Sequence, residues 1–255
     1  MEIHNSAARG FAAAADVYVQ GRPDYPVETA AWLREDLGLG PEKTALEVGA
    51  GTGKFIPVLR QSGARLLALE PVEAMRQRLA AAHTDVEVLA GTAASIPLPD
   101  GSVDAVVCAQ AFHWFATREA LEEFRRVLVP GGTLGLIWNV RDETVPWVAA
   151  LSDITNPLEG NTPRYRSGAW REVFPAEGFR FMGERCVAYV HRGRAEDVII
   201  NRTLSTSFVA AQPEVVRQEV TARVRTLINQ TPDLAGPGDV VFPYQTRMFT
   251  YRKNG

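Results

Sequence analysis

Glycines stand at positions 49, 51 and 53, directly after a short apolar run from Thr44 to Val48 and before an amphipathic stretch from Lys54 to Gln61. The pattern reads as a buried strand, a tight turn and a helix start. Glycine lacks a Cβ, so it accepts positive φ and lets a ligand approach bare backbone. A turn of this kind at the carboxyl end of a strand is where open α/β sheets bind nucleotide-like ligands. Spacing narrows the ligand. The dinucleotide fingerprint needs glycine where Lys54 stands, and the P-loop needs glycine at Val48 and a hydroxyl at Phe55. Neither fits. What remains is an acid, Glu47, ahead of three alternating glycines. A second acid, Glu70, ends the next apolar run about twenty residues past the first glycine, the offset of a carboxylate that accepts both ribose hydroxyls.

Two further residues have chemistry to offer. His113, in Gln110 to Phe115, titrates near neutrality and could take a proton from an attacking hydroxyl. It could equally hold its loop closed by hydrogen bonding. Arg141 suits an acidic acceptor or a surface pair. His4, His83 and His191 have no partners at ligand spacing, so no metal site is expected.

Composition bounds the setting. Net charge is −3, from 27 Lys and Arg against 30 Asp and Glu, which argues against binding driven by phosphate neutralisation. No Asn-Pro-Pro-aromatic motif for a flipped base follows Val103 to Ala109. The two cysteines, Cys108 and Cys186, fit reduced thiols and a cytoplasmic location. No apolar run reaches the length of a membrane span, and no secretory h-region opens the chain.

The elements that must position these residues alternate. Helices are expected over Ser6 to Gln20 and Val27 to Leu37, with Arg22-Pro-Asp-Tyr-Pro26 as a stiff linker between them. Strands follow at Thr44 to Val48, Arg65 to Glu70, Val86 to Ala90, Val103 to Ala109 and Thr133 to Trp138. Helices intervene at Lys54 to Gln61, Val72 to Ala82 and Thr117 to Leu128. The alternation predicts a doubly wound, mostly parallel sheet. Beyond it, Asp142 to Arg180 reads as short aromatic-rich helices and loops, Glu184 to His191 as a strand, Ala195 to Ser205 and Pro213 to Gln230 as helices, and Asp239 to Arg252 as a last strand. Pro243 favours an edge or a bulge there.

The acid-x-G-x-G-x-G pattern resembles the first motif of class I S-adenosylmethionine-dependent methyltransferases. Pro97-Leu-Pro-Asp-Gly-Ser-Val-Asp104 before Ala105 to Ala109, and Phe124-Arg-Arg-Val-Leu-Val-Pro-Gly-Gly132-Thr-Leu, extend the resemblance over Leu46 to Trp138. Arg22-Pro-Asp-Tyr-Pro26 and Gln110-Ala-Phe-His-Trp-Phe115 are similar to a type 11-like subgroup that includes trans-aconitate methyltransferase. The resemblance implies a Rossmann-like α/β fold with a seven-stranded sheet, the last strand antiparallel, and a helical lid after strand five. It implies one methyltransferase domain over 1–255: a helical cover (1–40), a cofactor core (41–141), and an acceptor lid with C-terminal strands (142–255).

The cofactor implied is S-adenosyl-L-methionine. Glu47, Gly49, Gly51 and Gly53 would pack under its amino acid and ribose portions, and Glu70 with Pro71 would hold the ribose. Met75 would cover the adenine. Thr92, beside Ala93, stands where the family commonly has an acid for the adenine amino group. Gln110 and Ala111 would line the reactive end, and Tyr18 and Arg22 would take the methionine carboxylate. Trp114, Trp138, Asn139, Arg141, Trp147 and Tyr165 would face the acceptor. The reaction implied is methyl transfer to a small molecule at oxygen, with nitrogen or carbon transfer, or cofactor binding without chemistry, as alternatives.

Overall fold

The computed structural model describes residues 23–254. The expected helix over Ser6 to Gln20, and the expected ligands Tyr18 and Arg22, lie outside the described residues. Seven strands form one sheet in the order β3-β2-β1-β4-β5-β7-β6. They are β1 (Thr44–Val48), β2 (Arg65–Leu69), β3 (Glu87–Leu89), β4 (Val103–Ala109), β5 (Leu128–Arg141), β6 (Phe179–Arg194) and β7 (Asp239–Lys253). β1 to β5 run parallel, and β7 lies antiparallel between β5 and β6. The chain order reverses beside β1, so a crevice opens between β1 and β4 at their carboxyl ends.

Both faces of the parallel strands are covered, which is why β1, β2 and β4 read as near-continuous apolar runs. On one face α1 (Glu28–Glu35), α2 (Ile56–Arg60) and α3 (Glu73–Ala82) pack Trp32, Leu33, Leu59 and Leu79 onto Ala45, Ala68, Ala105 and Ile137. Pro57 falls in the first turn of α2, where its missing N–H costs nothing. On the other face α4 (Arg118–Val127) buries Leu121, Phe124 and Val127 against Leu46, Val106 and Leu134. Thr117 caps α4 by accepting from Ala120 N. A third cluster joins α5 (Pro146–Thr155), the π-helical segment Glu196–Asn201 and α6 (Glu214–Gln230) over Phe242 and Tyr244 of β7. No helix among the described residues is long and apolar enough to cross a membrane.

Pro243 does not mark an edge: β7 is interior, and β6 is the outer strand. Pairing with β5 stops at Arg141 opposite Tyr244, and Asp142 N donates to Pro243 O. Pro243 therefore turns its missing N–H toward the side where β5 has already ended, and no ladder bond is lost.

Candidate active site

The glycine turn leaves β1 with Gly49, Gly51 and Gly53 at φ of +73°, +60° and +84°. Two of them are held by close neighbours. A Cβ on Gly49 would stand 2.8 Å from Ala111 Cβ, and one on Gly53 would stand 2.6 Å from the His83 ring. Gly51 differs: a Cβ there would meet only Met75 Sδ, at 4.0 Å. The crevice is open above Gly51 and floored by a thioether.

Glu70 locks this turn. Its Oε2 accepts from Gly51 N at 2.8 Å and its Oε1 from Val72 N at 2.9 Å. Arg76 Nη1 donates to the carbonyls of Glu70 and Pro71. Burial raises the Glu70 pKa, against the lowering effect of those two backbone bonds and of Arg76. Each carboxylate oxygen keeps a second lone pair for a ligand hydroxyl.

Glu47 lies under the turn, 1% exposed, with no hydrogen-bond partner for its Oε2. Burial, and then the charge of Glu70, hold its pKa well above the ordinary carboxyl value. An acid with a raised folded pKa binds more protons folded than unfolded, so stability falls as pH rises from the ordinary value to the folded one. Glu47→Leu removes that penalty. Its thermal midpoint should exceed that of the parent chain, by a wider margin at pH 8 than at pH 5. A margin that does not grow with pH would contradict a buried, strained carboxyl.

Across the crevice, Gln110 sits at φ 59°, the one non-glycine residue with positive φ among the described residues. Its N–H donates to Ile137 O, which holds the strain at the end of β4. Ala111 then starts the 3-10 turn Phe112–Trp114. Thr92 and Ser95 exchange backbone bonds after β3, and Ala93 is buried in the core. Arg126 fastens that loop through the carbonyls of Ile96 and Leu98.

His113 Nδ1 lies 3.1 Å from Trp138 Nε1. An indole nitrogen only donates, so Nδ1 accepts and the neutral imidazole carries its proton on Nε2. Trp138 itself requires a correction. It was expected to face an acceptor, yet it is 1% exposed and packs against Trp170 at 4.6 Å between ring centroids. Its side chain leaves β5 on the α4 face, among Tyr165, Trp170 and Phe249. Asn139 is corrected likewise. Its Nδ2 donates to Asp24 O at 2.8 Å, and its Oδ1 accepts from Thr246 Oγ1 at 2.6 Å. Both ends of the amide are spent pinning the linker at Asp24 to the sheet.

Trp114 and Tyr165 are half-buried, and Trp147 is turned edge-on to Phe242 in the third cluster. Arg141, at the end of β5, is partly buried. Burial and the charges of Arg202 and Arg164 push its pKa down to about 10.

Comparison with known proteins decides the family. A methyltransferase domain model matches residues 46–136. An uncharacterized methyltransferase-like protein of Schizosaccharomyces pombe is 35% identical over 92% of this chain and 92% of its own length. The chain belongs to the class I S-adenosylmethionine-dependent methyltransferases. An uncharacterized methyltransferase of Mycobacterium tuberculosis is 37% identical, again over 92% of both chains. Among solved structures, one from Anaeromyxobacter dehalogenans, named for a type II methyltransferase by inference, superposes with a TM-score of 0.64 at 24% identity, covering 91% of this chain and 97% of its own. That likeness concerns the fold.

Proposed function

We propose that this methyltransferase transfers the methyl group of S-adenosylmethionine to a small-molecule acceptor, at a hydroxyl or carboxylate oxygen. The observation that carries the reading is the open space over Gly51, bounded by a carboxylate already bonded to Gly51 N. In this reading the ribose hydroxyls add to the free lone pairs of Glu70, beside Pro71. The amino acid portion lies along Gly49, Gly51 and Gly53, above Glu47. Met75 faces the adenine, Thr92 and Ala93 border it, and Gln110 with Ala111 flanks the sulfonium. The acceptor enters between the turn Phe112–Trp114 and the lid, near Trp114, Tyr165, Trp147 and Arg141.

A sulfonium is a good leaving group, so alignment of acceptor and methyl supplies much of the acceleration, about 7–11 kcal/mol in well-oriented cases. His113 fits positioning better than proton removal, because its basic nitrogen is occupied by Trp138. With its proton on Nε2, the ring has no second basic nitrogen to offer an acceptor hydroxyl. A carboxylate acceptor needs no base, since it is ionised at neutral pH.

His113→Ala leaves the buried Trp138 N–H unpaired and should cost about 1–3 kcal/mol of stability. His113→Asn returns an acceptor near the Nδ1 position, so it should recover most of that stability and most turnover. Turnover as low in the Asn variant as in the Ala variant, with stability restored, would instead establish a base. The overall reading is tested by incubating the chain with radiolabelled S-adenosylmethionine and a metabolite extract. Label should pass to low-molecular-mass products that lose it under ester or ether cleavage. Label held through nitrogen or carbon would contradict oxygen transfer, and no binding of S-adenosylmethionine by calorimetry would contradict the whole reading.

A further inference from the structure

We infer that Arg141, Arg202 and Tyr244 form a clamp for an oxyanion group, carboxylate or phosphate, at the end of the acceptor remote from the methyl. The inference rests on the methyltransferase reading above, because it places the acceptor in the same crevice.

Arg141 and Tyr244 pair in register across β5 and β7, so their side chains leave one face of the sheet. Tyr244 is 1% exposed, and its hydroxyl has no hydrogen-bond partner. Phe242 stacks on the Tyr244 ring at 4.8 Å and lies 5.8 Å beneath the Arg141 guanidinium. Arg202 arrives from the segment that follows β6. It donates from Nη1 to Thr206 Oγ1, and its buried Nε has no partner. His191, in register with Phe242, adds a buried Nδ1 that is also unpartnered. Arg164, 3.6 Å from Glu159, extends the positive field toward Arg141.

Neither Arg141 nor Arg202 has a carboxylate partner among the described residues. The acid acting on Arg141 is the exposed Glu143. A guanidinium taken out of water without a counter-charge is costly, and an unpaired buried hydroxyl adds to that cost. An oxyanion would accept from both guanidinium groups and from the phenol at once, which satisfies every one of these groups. The lowered Arg141 pKa has the same origin: burial first, then the charge of Arg202, with Glu143 opposing them only weakly from the surface.

Position fixes which part of the acceptor is held. Gln110 N meets Ile137 O at the mouth of the cofactor crevice. Arg141 lies four residues further along β5, roughly 13 Å at the usual strand rise. The clamp therefore grips a group away from the reacting atom, and it selects acceptors that carry a negative charge at that distance.

Thermal unfolding of the chain saturated with S-adenosylhomocysteine tests this, with succinate, inorganic phosphate and neutral succinamide titrated separately. At least one anion should raise the midpoint, and succinamide should not. Succinate acting without phosphate assigns a carboxylate, and the reverse assigns a phosphate. Arg202→Gln should weaken the effective anion about tenfold or more, in line with loss of a charge-assisted bond. Tyr244→Phe should weaken it too, while leaving the anion-free chain as stable as the parent or more so, because it deletes an unpaired hydroxyl. No response to either anion, an equal response to succinamide, or an unchanged response in both variants would overturn the clamp. The midpoint shift from S-adenosylhomocysteine alone reports separately on the methyltransferase reading.

Discussion

Gly51→Asn should abolish S-adenosylmethionine binding in a chain that still folds. Gly51 stands at φ +60° with open space where a Cβ would project. Asparagine is among the residues that tolerate left-handed backbone, so the turn keeps its shape. Its side chain then fills the crevice over Met75, where the cofactor is proposed to lie. An affinity loss of about a hundredfold, about 2.7 kcal/mol, is a conservative expectation for a blocked site. Gly49→Ala is the contrasting case. Its Cβ would press on Ala111 and the Phe115 ring, so stability should fall together with affinity. Calorimetry with urea unfolding separates the two. A folded Gly51→Asn chain with unchanged affinity would remove the turn from the cofactor site.

Glu70→Ala should lose both cofactor affinity and a large share of stability. The carboxylate accepts from Gly51 N and Val72 N in a nearly buried position. Each N–H left unpaired costs about 1–3 kcal/mol, so the pair costs about 2–6. Domains of this kind have about 5–15 kcal/mol in total. Glu70→Gln keeps one acceptor oxygen but sets its NH2 against a backbone N–H, and should fall between parent and alanine variant. Urea midpoints that do not move in Glu70→Ala would show that the acid does not hold the turn.

Legibility followed locality. β1 and β4 were readable to the residue because strands buried on both faces are unbroken apolar runs bounded by glycine or polar residues. The glycine turn and Glu70 were readable because their relation is set by one strand-turn-helix-strand unit. β6 was harder. Expected over Glu184 to His191, it runs Phe179–Arg194, and a register shift between Phe181 and Gly183 breaks its alternation. Its outer-edge position also leaves many charged side chains in the pattern. Trp138 and Asn139 stand at the strand end that the sequence indicates, but their packing partners are not legible there. Successive residues leave opposite faces, and only the packed layers show that one meets Trp170 and the other Asp24. Gln110 carries no sequence sign of positive φ. Arg202, Tyr244 and His191 lie on three segments far from any motif: the pairing of β5, β7 and β6 brings Tyr244 and His191 toward Arg141, and the helical segment after β6 brings Arg202.

The most direct measurement is a crystal structure of the chain with S-adenosylhomocysteine. The ribose hydroxyls should lie within hydrogen-bonding distance of the Glu70 carboxylate, with the amino acid portion across Gly51 and the sulfur turned toward Gln110. A nucleoside bound anywhere else, or one that reaches this crevice without touching Glu70, would contradict the account.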